Sequence, residues 1–189
     1  FNEFLERYVS GIKFRTFHYQ KVEYTGDDIA AMFNGRFSRK PVYERFENIA
    51  YFIVDRVEDN SSKEFPEEKK HNLARQIQKQ MVNLFAERNL VKLYVDFLDE
   101  MEPEYPGISE YKNEYGKICY EDILPILYLQ GYFYGCNSYN NIKHLVIDEM
   151  QDYTIFQYAV IDRIFGCKKT ILGDRYQVLF YNPEETVVD

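Results

Sequence analysis

The stretch from Asn141 to Tyr153, NIKHLVIDEMQDY, limits what this chain can fold into more than any other. An apolar, β-branched run (Ile142, Leu145, Val146, Ile147) stops abruptly at two acids, Asp148 and Glu149. A short run of this kind predicts a strand buried on both faces, as in a parallel sheet covered by helices. A helix is predicted from Thr154 to Phe165, and after it a second short strand, Lys169 to Leu172, ends in Gly173-Asp174 with Gln177 three residues on. Strand, acidic pair, helix, strand, Gly-Asp-x-x-Gln is the pattern of a β-α-β unit with polar groups at both strand tips. In open α/β sheets, ligands bind outside the carboxyl ends of the strands. A bare Asp-Glu pair is commonly just a solvated turn, and the second polar strand tip is what sets this pair apart.

Asp148-Glu149-Met150-Gln151-Asp152 resembles motif II (Asp-Glu-x-Gln-Asp) of the UvrD/Rep-type superfamily 1 helicases. Gly173-Asp174-x-x-Gln177-x-x-Phe180 resembles their motif III, which usually ends in Tyr. The resemblance implies an α/β fold, with residues 91–189 forming part of a RecA-like P-loop NTPase domain built on a parallel sheet. Residues 1–90 would be a mainly helical accessory domain with a small β element. It implies ATP and Mg²⁺ as cofactors and an ATP-dependent helicase or translocase acting on single-stranded or duplex DNA. Carried over residue by residue, Asp148 holds Mg²⁺, usually through water, and Glu149 activates the hydrolytic water. Gln177 senses the γ-phosphate as the second catalytic residue, and Gln151 and Asp174 belong to the nucleotide site. Asp152 completes the motif, and Phe180 lies toward the single strand. Arg175 and Tyr176 occupy variable positions and receive no role.

Within that family, several runs are most similar to the HelD type, UvrD-like ATPases that bind RNA polymerase and help release it from nucleic acid. They are Ile118-x-Tyr120-Glu121-Asp122-Ile123, Leu127-x-Leu129, Ile142 to Ile147, Asp152-Tyr153-Thr154 and Thr170 to Asp174. Met150 and Thr154 stand where small residues are expected, and neither position contacts phosphate. A DNA helicase and a polymerase-recycling ATPase both stay open.

No Gly-x-x-x-x-Gly-Lys-Ser/Thr loop occurs in the 189 residues, so nothing here cradles phosphates in the P-loop manner. The chain is therefore expected to be a piece of a larger motor, inactive toward ATP by itself. A different class, a binding or regulatory module with vestigial acidic strand ends, would be favoured if the whole protein also lacked that loop. A small metal-dependent hydrolase using Asp148, Glu149 and Asp174 alone would need further His or carboxylate ligands, and none is evident. With 23 basic and 31 acidic residues the net charge is −8, which argues against this stretch being a strong nucleic-acid binder by itself. Cys119, Cys136 and Cys167 show no ligand spacing and are expected to be reduced structural thiols of a cytoplasmic protein, with no membrane span.

Upstream, Ile12 to Tyr24 is rich in aromatic and β-branched residues and predicts one or two strands. His18 within it is expected to be a packing or surface residue. Thr25 is a predicted N-cap, and Asn34-Gly35 a predicted helix end. Val42, Phe46, Ile49, Ile53 and Val57 share one face of a helix beginning near Pro41. A polar break over 59–70 leads to a second stripe, Leu73, Ile77, Met81, Leu84 and Phe85. The basic residues Lys69, Lys70, Arg75, Lys79 and Arg88 are expected mainly to form a solvated face, with contact to a phosphate backbone as the functional alternative. Leu90 to Met101 predicts a helix broken by Pro103 and Pro106-Gly107, and Glu121 to Gln130 another, with Pro125 in its first turn. Most of the 18 Tyr and 15 Phe are expected to fill the core, with Tyr132, Phe133 and Tyr134 as candidates for a partner-facing minority.

Overall fold

A computed structural model describes residues 1–19, 21–61, 63–82, 89–107, 119–136 and 141–174. Among them are seven α-helices and two small two-stranded sheets, one antiparallel and one parallel. The contacts group the chain into two units, Phe1–Asn113 and Glu114–Asp189.

In the first unit, helix α1 (Asn2–Ser10) precedes a short hairpin, β1 (Phe17–Tyr19) and β2 (Val22–Tyr24). The strands predicted over 12–24 are thus three residues each. His18 is exposed on β1, with Nδ1 3.7 Å from Glu23. Thr25 caps α2 (Gly26–Ala31) in a capping box with Asp28, satisfying two backbone donors at the helix start. Those hydrogen bonds from Thr25 hold the Asp28 carboxyl below the usual carboxylate range.

Asn34-Gly35 does not end this helix. A π-turn over Met32–Arg36 carries the chain on, with Phe37 N–H donating to Met32 O at 3.0 Å. Phe33 is thereby fully buried, its ring 4.9 Å from that of Phe46. Burying a large ring outweighs the local preference of Asn-Gly for a turn.

Helix α3 (Val42–Asp59) is the spine of the unit, and Pro41 stands at its N-cap. All five residues of the predicted stripe are buried, together with Ala50 and Val54. The face is wider than a two-per-turn seam because α3 meets both the π-turn and α4 (Glu67–Val82), which contributes Leu73, Ala74, Ile77 and Met81. Leu84, Phe85 and Arg88 lie outside the described residues. Arg45 is the one buried charged residue among those described; its Nε donates to Lys40 O at 2.8 Å. Helix α5 (Leu90–Met101), capped by Asn89, sets Phe97 against Phe1 and Phe4 of the α1 end, and Glu100 pairs with Arg7.

In the second unit, α6 (Ile123–Tyr134) carries Pro125 as its third residue, where the missing N–H would have had no helical partner. It ends at Gly135, whose φ of 79° suits glycine. Of the three aromatics near that end, Phe133 is buried and Tyr134 exposed. Strand β3 (His144–Ile147), helix α7 (Ile155–Ile164) and strand β4 (Lys168–Ile171) form the predicted β-α-β unit, with β3 and β4 parallel. Thr154 caps α7 in a capping box with Gln157. Gly131 leaves room for Arg163 to lie across α6, since a Cβ there would sit 2.6 Å from Arg163 Cδ. The guanidinium stacks 4.5 Å from the Tyr128 ring centroid.

Strand β3 is not buried on both faces as its composition suggests. Ile147 is 6% exposed but Val146 is 61% exposed, and Ile171 of β4 is 46% exposed. Alternate residues of a strand point to opposite faces, so helices would have to cover both sides to bury the whole run. Among the described residues no helix is long and apolar enough to cross a membrane. Cys119, Cys136 and Cys167 are free thiols, and burial pushes the Cys136 thiol up.

Candidate functional site

The parallel register pairs Ile147 with Ile171, so the carboxyl ends of β3 and β4 lie side by side. The ladder runs past both strands: Leu172 N–H donates to Ile147 O at 2.8 Å, and Met150 N–H to Leu172 O at 2.9 Å. Asp148 and Glu149 therefore emerge next to Gly173 and Asp174, and all four are exposed.

Glu149 adopts left-handed backbone geometry, φ 52° and ψ 51°, and is the single non-glycine residue with positive φ among those described. For an L-residue this conformation costs about 1–2 kcal/mol. Local hydrogen bonds offset it: Glu149 N–H donates to Asp148 Oδ1 at 2.9 Å, and Glu149 O accepts Asp152 N–H at 2.9 Å. The bend redirects the chain into a 3₁₀ turn, Met150–Asp152. Tyr158 of α7 steadies that turn by donating its hydroxyl proton to Met150 O at 3.2 Å. Burial pushes the Tyr158 phenol up, so it stays a donor at neutral pH.

Gln151 joins the two strand tips. Its Oε1 accepts Asp174 N–H at 3.1 Å, and its Nε2 donates to Glu149 Oε2 at 2.6 Å. The amide orientation is fixed by chemistry, because a backbone N–H requires the oxygen and a carboxylate requires the NH₂ group. One carboxamide thus holds the Glu149 carboxylate at a set position relative to the neighbouring strand tip. Gly173 makes this approach feasible: a Cβ there would lie 2.4 Å from Met150 Cγ, 2.5 Å from Gln151 Oε1 and 2.6 Å from Met150 N. The crosslinking part of Gln151 and the space requirement at Gly173 are absent from a reading of the sequence alone; the Gly-Asp spacing was the one signal of them.

Asp148, Glu149, Gln151 and Asp174 are brought together, with Asp152 in the adjoining turn. Gln177 and Phe180 lie outside the described residues, as do Arg175 and Tyr176. Among the described residues no group of three or more His, Cys, Asp or Glu side chains could hold a metal ion. That donor set does not fit an all-protein cage. One or two carboxylates of the kind at these strand tips are what a hydrated Mg²⁺ would take from a protein. Compared with protein-family models, curated proteins and solved structures, the chain matches none.

Proposed function

We infer that this chain carries the strand-tip half of the ATP-hydrolysing site of a UvrD/Rep-type superfamily 1 helicase or translocase. The observation that carries the reading is the Gln151 crosslink between an Asp-Glu tip and a Gly-Asp tip on adjacent parallel strands. On this reading β3, α7 and β4 are part of a RecA-like sheet, and the exposed Val146 and Ile171 are surfaces that the remaining layers of such a domain cover. Asp148 would hold Mg²⁺, and Glu149 would orient and deprotonate the attacking water. Gln177 contacts the γ-phosphate, and Phe180 faces the nucleic-acid strand. Bound Mg²⁺ supplies charge neutralisation on the transferring phosphoryl group.

The P-loop Lys and its backbone cradle must come from outside these 189 residues. The chain alone is therefore expected to show no Mg²⁺-dependent ATP turnover. Phosphate release above that of a Glu149→Gln preparation purified in parallel would defeat this expectation. Joined to such a loop, the protein is expected to hydrolyse ATP faster when single-stranded DNA is added. Phe180→Ala should leave the basal rate intact and weaken that stimulation about five-fold or more, since stacking is worth roughly 1–3 kcal/mol per base. A variant with a lowered melting temperature and reduced basal rate would instead place Phe180 in the core.

The net charge of −8 favours a second reading, a HelD-like ATPase whose working partner is RNA polymerase. An unchanged melt with undiminished DNA stimulation in Phe180→Ala would support it.

A further inference from the structure

Far in sequence from the strand tips, the first unit contains a second candidate site. The turn between β1 and β2, the C-terminal end of α3 and the start of α4 enclose an open cavity of about 410 Å³. That volume lies within the range of small-molecule sites, about 300–1,000 Å³. Its floor is apolar, made of Val22, Val57 and Phe65, all buried. Lys21, Lys63 and Lys69 stand around it, drawn from three separate segments.

Such a concentration of cations is unexpected in a chain of net charge −8, and several of the acids nearby are already engaged. Glu58 receives Lys70 Nζ at 2.8 Å and the backbone N–H of Phe65 at 2.7 Å, and these partners hold its carboxyl below the usual range. Glu67 also faces Lys70, at 3.6 Å, Asp59 faces Arg56 at 3.7 Å, and Glu23 faces His18 at 3.7 Å. Glu64 and Glu68 do not line the cavity. Lys21, Lys63 and Lys69 take part in no ion pair among the described residues. Lys69, an exposed residue, holds its Nζ 3.4 Å from the Phe65 ring centroid, which keeps an ammonium over that ring at the cavity's edge. At the C-terminal end of α3, two carbonyls have partners: Asn60 Nδ2 donates to Arg56 O at 2.8 Å, and Glu58 O accepts Ser61 N–H at 2.8 Å.

We propose that this cavity binds a phosphate monoester of mononucleotide size, its phosphate among Lys21, Lys63 and Lys69 and the rest of the ligand over the edge formed by Val22 and Phe65. Three ammonium groups match the three terminal oxygens of a phosphate monoester better than the two of a carboxylate. The same chemistry is offered by a free nucleotide and by the phosphorylated end of a nucleic-acid strand. The site stands independently of the ATPase reading and uses none of its residues.

The test is an amide NMR titration of the 189-residue chain with AMP and, separately, with a 5′-phosphorylated single-stranded oligonucleotide. Shifts are expected at Lys21, Val22, Lys63 and Phe65, shrinking as salt is raised. Lys63→Glu combined with Lys69→Glu should raise Kd by about tenfold or more, as two exposed attractions become repulsions. The milder pair Lys63→Gln and Lys69→Gln should weaken binding in the same direction, and it serves if charge reversal unfolds the chain. Saturation by AMP assigns the free nucleotide, and saturation by the oligonucleotide alone assigns the strand end. Amides unmoved by both ligands, or a charge-reversed pair that folds and binds as tightly as the original, overturn the proposal.

Discussion

If Glu149 is the general base of an ATPase, replacing it by Gln is expected to leave ATP bound while hydrolysis falls by about 10²–10⁴-fold, the contribution typical of a positioned general base. The substitution is tested in a protein that joins this chain to a phosphate-cradling loop, by steady-state phosphate release beside a nucleotide-binding titration. Gln has the shape of Glu and keeps an oxygen able to accept the Nε2 proton of Gln151, so the crosslink between the strand tips survives. The side chain is exposed, and the left-handed backbone at this position is held by main-chain and Asp148 contacts rather than by the Glu149 carboxylate. What is lost is the negative charge and the ability to take a proton from water. Binding and melting temperature should therefore stay near those of the original protein while turnover collapses. A variant that hydrolyses ATP at an undiminished rate would take the catalytic role away from Glu149, and with it the main chemical content of the ATPase reading.

Much of the fold is legible in the sequence because the decisive signals are local. Thr25 announces one helix start and forms a capping box with Asp28, and the helix predicted from Thr154 begins at a second capping box with Gln157. Pro125 fits α6 only in its first turn and is found there. The Val42–Val57 stripe predicts the buried face of α3 because a 3.6-residue period leaves few alternatives. Composition is weaker evidence where burial depends on what lies beside an element. The run ending at Ile147 has the composition of a doubly covered strand, yet Val146 is exposed, because coverage is decided by partners and not by the strand itself. Asn34-Gly35 has the composition of a turn and is overruled by the burial of Phe33. At the candidate site, the acids are legible as an abrupt end to an apolar run. The part played by Gln151 is not, because its two partners are 2 and 23 residues away and meet only when the strands pair in parallel.

That geometry makes Gly173 the most demanding position at the strand tips. Gly173→Ala is expected to lower ATP turnover by about 10²-fold in the same loop-bearing protein, without any change to the carboxylates. The side chains of Met150 and Gln151 can swing away from an added methyl, but the Met150 backbone nitrogen, 2.6 Å from the Cβ position, cannot. Carbon–nitrogen contacts between non-bonded atoms sit near about 3.5 Å, so the two tips must part by close to 1 Å. The Met150 N–H to Leu172 O bond, now 2.9 Å, lies across that gap and should lengthen or break. Gln151 then cannot reach both Asp174 N–H and the Glu149 carboxylate, and the base loses its fixed position. A displacement of that size in a catalytic group is enough to cost about two orders of magnitude in rate. Overpacking also costs about 1–3 kcal/mol of stability, so a melt must accompany the kinetics. Hydrogen exchange separates the two effects. Faster exchange at the Asp174 and Met150 amides, with protection in α3 unchanged, marks a local parting of the tips. If turnover falls while both amides keep their protection, the Gln151 crosslink does not position Glu149, and the loss must arise elsewhere.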